Sequence, residues 1–171
     1  MAGELTKKFE GWREYIYDDK TGKPATGKPK GKRTIGYGFN IDDPVIAKSL
    51  PKDVLSGKRT LTEKEAEPIF SNLYTKAQSD AIKFIGKDTY AKLGNEAKET
   101  LTDLSYNLGY NKLSGFQKFK EAVLAGNMTK AAEELKDSKW YKQVGDRSLY
   151  HYNIIKNSKL GFSWKDILGS K

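Results

Sequence analysis

Carboxylates are the acid–base groups this sequence offers. Its 171 residues contain no cysteine and one histidine, His151. That excludes thiolate chemistry and a multi-histidine metal centre, and leaves little support for a serine–histidine triad. Four residues near the amino terminus could do chemistry together: Glu10, the adjacent Asp18 and Asp19, and Thr34. Glu10 ends a helical segment and the aspartates follow the strand-like Tyr15-Ile16-Tyr17. A hairpin folding back on that helix would present carboxylates across a cleft. Glycoside hydrolysis uses two carboxyls in that way, one protonating the leaving oxygen and one working on the opposite face of the sugar. Solvated Asp and Glu are common, however, and spacing alone does not separate these four from ordinary surface residues.

The elements that must position them are legible from pattern. Leu5 and Phe9 lie four apart on one face of a first helix, about residues 3–10, and Gly11 is placed to end it in a left-handed conformation. Aromatic and β-branched residues on either side of a Gly/Pro-rich turn, up to Thr34-Ile35-Gly36-Tyr37-Gly38-Phe39, predict an antiparallel hairpin or small sheet. Pro44 and Pro51 break up a mixed segment of helix and loop. Thr62-Glu63-Lys64-Glu65 is a capping box, opening a long helix to about residue 84 that carries Ala66, Ile69, Leu73, Ala77 and Ala81 at helical spacing. The remainder reads as shorter helices punctuated by glycines, with stripes such as Leu101, Leu104 and Leu108. This outline is α+β, a small β lobe at about 12–60 and a helical lobe at about 1–11 and 61–171 of one domain. Phe162, Trp164, Ile167 and Leu168 suggest a short terminal helix packing back.

Lysine and arginine number 31 against 22 aspartates and glutamates, a formal charge of +9. The expected partner is anionic: nucleic acid, a phospholipid surface or an acidic cell-wall polymer. The excess is densest in KTGKPATGKPKGKR, Lys20 to Arg33, with six basic residues and no acid. Its glycines and prolines mark a loop, and a solvated, mobile hairpin tip is favoured over a nucleic-acid-binding arm. No run of residues is long and apolar enough for a membrane span, and Met1 to Phe9 lacks the apolar stretch of a signal peptide.

Taken together, Phe9-Glu10-Gly11-Trp12-Arg13, Tyr17-Asp18-Asp19 and Thr34-Ile35-Gly36-Tyr37-Gly38 resemble the signature of the T-even phage lysozymes, glycoside hydrolase family 24. The likeness continues in order through Leu61 to Ala66, Asn107-Leu108-Gly109, Gly115-Phe116, Ser138 to Gln143 and Arg147. It implies a lysozyme-like fold whose lobes are joined by the long helix. It implies Glu10 as general acid and Asp19, nine residues on, as the second carboxylate, which leaves Asp18 a bystander whose substitution is expected to be mild. Thr34 would hold the attacking water. Arg147 would pair with the catalytic glutamate, and Asn107 would line the cleft. Trp140 and Tyr141 are expected in the core rather than as sugar platforms.

The activity implied is hydrolysis of peptidoglycan at the β-1,4 bond between N-acetylmuramic acid and N-acetylglucosamine, with inversion, needing neither metal nor cofactor. A monomer is expected, acting on peptidoglycan and associated anionic envelope polymers and not on nucleic acid. It would be made in the host bacterial cytoplasm and reach the cell wall at lysis, or be carried on the virion. A lytic transglycosylase and a non-catalytic cationic wall-binding module are the alternatives. Two departures from the family pattern stand out. Phe39 occupies the position where the family has histidine, so an aromatic contact should replace an ion pair there, and the loop between Asp19 and Thr34 is longer.

Overall fold

Three strands and eleven helices make up the described residues, 2–25 and 27–161, of the computed structural model. The terminal helix expected around Phe162 to Leu168 lies outside them. By residue contacts the chain divides into two compact units, Met1–Leu73 and Tyr74–Lys171.

The first unit holds α1 (Glu4–Glu10), β1 (Arg13–Asp18), β2 (Arg33–Gly36), β3 (Phe39–Asn40), α2 (Pro44–Lys48), α3 (Lys52–Leu55) and the start of α4 (Glu63–Ile85). The strands form an antiparallel sheet in the order β1-β2-β3. Tyr17 faces Thr34 and Asp18 faces Arg33, with an irregularity between Arg13 and Tyr17. Ile35 faces Phe39 across the second pair. α1 falls in this unit. Lys7 explains its attachment: its ammonium is 2.7 Å from Glu67 on α4 and lies over the rings of Tyr37 and Phe70. Tyr37 also packs on Trp12 at 5.1 Å and on Phe70 at 5.6 Å. Phe39, at the histidine position, is wholly buried and edge-on to Tyr37 at 6.5 Å. Burying such a ring is worth about 1.5–3 kcal/mol.

The capping box forms as expected. Thr62 Oγ1 accepts from the Glu65 N–H at 3.3 Å, and Glu65 reaches back to the Thr62 N–H at 3.1 Å. Arg59 clamps the same glutamate through Nη1 and Nη2, and with Thr62 it holds the Glu65 carboxyl down at about 2.

The second unit continues α4 and adds α5 (Lys87–Lys92), α6 (Asn95–Leu108), α7 (Tyr110–Leu113), α8 (Gln117–Leu124), α9 (Met128–Lys136), α10 (Lys139–Gln143) and α11 (Asp146–Asn157). Leu101 and Leu104 of α6, Phe119 and Val123 of α8, and Ala131, Ala132 and Leu135 of α9 meet in one core, with Phe84 and Phe119 stacked at 6.3 Å. α11 packs on α9 and α6. Trp140 is in this core, as its size and apolar body suggest.

Candidate active site

Glu10 is the last residue of α1, and the chain leaves the helix through Gly11 at φ 70° and ψ 160°, a positive φ but not the left-handed helical well expected. The Glu10 carboxylate lies against the backbone of Gly38, in the turn between β2 and β3, where an added Cβ would collide with Oε2. Gly38 also has φ 76°. The second glycine of Thr-Ile-Gly-Tyr-Gly is therefore required twice, by its turn and by the carboxylate laid on it.

Asp19 sits at the end of the β1–β2 ladder. Its N–H donates to the Lys32 carbonyl at 3.0 Å and its Oδ1 accepts from the Lys32 N–H at 2.7 Å. The same Lys32 carbonyl accepts from the Thr34 hydroxyl at 3.2 Å. One peptide unit thus holds both Asp19 and Thr34. Because Thr34 donates its only hydroxyl proton to Lys32, its oxygen is left with acceptor capacity, free to accept a hydrogen bond from a water. Thr34 is buried, whereas Asp19 is open to solvent.

Tyr17 stands opposite Thr34 on the same face of the sheet. Burial pushes its phenol up, the charges of Glu10 and Asp19 push it further, and the Arg13 guanidinium 4.9 Å above its ring pulls it down.

Asp18 is a different kind of residue from its neighbour. It is buried, and its carboxylate takes the backbone N–H groups of Lys30 at 2.7 Å, Lys20 at 2.9 Å and Gly31 at 3.0 Å. Burial would raise this carboxyl, but those backbone donors outweigh it and hold it below its ordinary value. The loop from Lys20 to Arg33 is accordingly not the loosely attached tip that its composition predicts. Its first limb folds back on β1, with Asp18 N–H to Lys23 and Ala25 N–H to Ile16, and its second is held by the two aspartates. Nor is its charge wholly unpaired, because Arg33 bonds Asp42 at 2.7 Å.

In the second unit Arg147 is buried on α11, with Nη2 and Nε bonded to the two oxygens of Asp103 at 2.7 and 2.9 Å. His151, one turn further on, places Nε2 2.8 Å from Asp103 Oδ2 and packs its ring on Trp140 at 5.3 Å. Burial would raise the Asp103 carboxyl; His151 and Arg147 together bring it down to about 2. Asn107, one turn along α6 from Asp103, accepts from Trp140 Nε1 at 2.7 Å through its side-chain oxygen while itself exposed. Asp103 and His151 escaped sequence reasoning. The available signals were an acid beside the Leu101–Leu104–Leu108 stripe, and an Arg–His pair at i, i+4.

Residues 7–151 match the family model described as phage lysozyme. The chain belongs to the phage lysozyme family. Members are glycoside hydrolases acting on peptidoglycan, and the α+β organisation found here agrees. The chain is also similar to the pre-baseplate central spike protein Gp5 of Enterobacteria phage T4, 25% identical over 157 residues, covering 85% of this chain and 26% of that protein. It spans about a quarter of that relative's length. Among the described residues no helix is long and apolar enough to cross a membrane, and no group of three or more metal-ligating side chains occurs.

Proposed function

We propose that this chain is a muramidase that hydrolyses the β-1,4 bond between N-acetylmuramic acid and N-acetylglucosamine with inversion, in phage-driven lysis of a bacterial wall. Glu10 protonates the leaving oxygen. A water held by Thr34 and Asp19 attacks the anomeric carbon, and Asp19 takes its proton. The observation that carries this reading is the common anchoring of Asp19 and Thr34 on Lys32, in the sheet whose next turn lies against Glu10. A water donating one proton to Asp19 and one to Thr34 keeps a lone pair for attack. Asn107 and Arg147 enter as substrate-binding residues from the family likeness. Peptidoglycan and its anionic companions suit a chain of charge +9. Similarity to a spike protein supports a virion-borne setting beside that of an enzyme released from the host cytoplasm at lysis.

The test is digestion of purified peptidoglycan with wild type, Glu10→Gln and Asp19→Asn. Reducing N-acetylmuramic ends by mass spectrometry, released initially as the α anomer by NMR, are expected from wild type and absent from Glu10→Gln. 1,6-Anhydro ends would instead make it a transglycosylase, and binding without release a wall-binding module.

A further inference from the structure

We propose that Asp18 is a positioning residue: its buried carboxylate fastens the second limb of the Lys20–Arg33 loop so that the Lys32 peptide can hold Asp19 and Thr34 for hydrolysis. The inference rests on the muramidase reading and extends it to a residue expected to be a bystander. Three N–H donors, from Lys20, Lys30 and Gly31, converge on one carboxylate, and two of them immediately precede Lys32 in the chain. Lys30 and Gly31 are 12 and 13 residues from Asp18, so these bonds close the loop rather than merely shape a local turn. Both aspartates press on Gly31. An added Cβ there would overlap Asp19 Oδ1 and come within 2.9 Å of Asp18 Oδ1. The backbone at 30–32 is thus wrapped by the two side chains, Asp18 taking residues 30 and 31 and Asp19 taking residue 32. A long Gly/Pro-rich loop has many conformations available, and few of them keep Lys32 in register with both Asp19 and Thr34. Asp18 removes that freedom with acceptors alone, which a carboxylate supplies and an amide supplies only in part, since an amide turns a donor toward one of the N–H groups.

The consequence is a defect in the chemical step rather than in binding. A misplacement of about 1 Å at reacting groups costs up to about 100-fold. Asp18→Ala should therefore lower kcat by roughly 10- to 100-fold with KM within about twofold, and Asp18→Asn, which keeps one carbonyl acceptor, should fall between Ala and wild type. If Asp18→Ala does not fold, Asp18→Asn carries the kinetic test. A second measurement is independent of turnover. In wild type the amide protons of Lys30 and Gly31 should exchange slowly and shift only at acid pH, as Asp18 protonates; in Asp18→Ala both should exchange fast, and in Asp18→Asn at least one of them should. Wild-type kcat in Asp18→Asn, a loss confined to KM, or fast exchange of those amides in wild type would each overturn the proposal. A wild type that releases no saccharide ends would instead sink the muramidase reading, and the amide measurement tells the two failures apart.

Discussion

Two buried aspartates, one in each unit, are stabilised by opposite means. Asp18 is held by backbone N–H groups, foremost those of Lys20, Lys30 and Gly31, with no ion pair among the described residues. Asp103 is held by two cationic or ionisable side chains, Arg147 and His151. Both carboxyls are depressed despite burial. Their partners differ in what they lose with the carboxylate. A backbone N–H deprived of Asp18 can turn to solvent, because the loop that carries it is exposed. A guanidinium deprived of Asp103 stays in the interior without the carboxylate that bonds two of its nitrogens. The comparison separates a carboxylate that organises a loop from one on which the interior around it depends.

The largest effect should follow from breaking the second. Asp103→Ala leaves Arg147 buried without its bidentate partner and should destabilise the protein by about 3–5 kcal/mol, read from urea unfolding. Replacing both members together, Asp103→Leu with Arg147→Met, should recover much of that loss. An Asp103→Ala variant as stable as wild type would show that Arg147 does not depend on Asp103, and the contrast with Asp18 would collapse.

Acid should expose the same network more gently. The folded Asp103 carboxyl lies at about 2, against an ordinary value of 3.8. A depressed carboxylate contributes stability that is complete above the unfolded value and lost as pH falls through the folded one. Stability should therefore decline from about pH 4 to pH 2 by on the order of 2 kcal/mol from this group. Asp18 is depressed too and acts in the same direction. Urea midpoints between pH 2 and 5 check this. Asp103→Asn should flatten the curve; an unchanged slope would place the acid sensitivity elsewhere.

The contrast also explains what could be read from the sequence and what could not. The capping box at Thr62–Glu65, the core stripes of α6 and α9, the hairpin and the short helices after α4 all follow from side-chain type at fixed spacing, which is a local property. The family signature likewise lies in short ordered blocks, so Glu10, Asp19 and Thr34 could be named as candidates before their surroundings were known. Asp18 could not be assigned its place, because its partners are main-chain N–H groups far along the chain, and every residue except proline carries one. The Lys20–Arg33 segment misled for the same reason: its side chains indicate solvent, while its backbone is tied to β1. Asp103 and His151 were nearer to legible, being charged or ionisable residues beside apolar stripes, but their pairing across α6 and α11 needed the packing. Lys7 was not legible either: its type indicates a solvated surface, while its ammonium lies over Tyr37 and Phe70.

The smallest effect concerns the loop lysines, and it separates what the loop's backbone does from what its charges do. Lys20, Lys23, Lys28, Lys30 and Lys32 all have exposed side chains. Lys30 and Lys32 serve the aspartates through their N–H groups, which substitution of the side chain leaves in place. Changing Lys23, Lys28, Lys30 and Lys32 to Gln should therefore leave kcat and melting temperature nearly unchanged. It should still slow encounter with an anionic wall, because four exposed positive charges on the loop no longer attract it. The deficit should appear as a raised apparent KM at low salt and fade toward and beyond 0.15 M, where the screening length is about 8 Å. Initial lysis rates against ionic strength for the two proteins measure it. Parallel curves would remove electrostatic steering from the loop and leave the backbone clasp as its whole contribution. A fall in kcat instead would mean that the lysine side chains help hold the limb on which Asp19 and Thr34 depend.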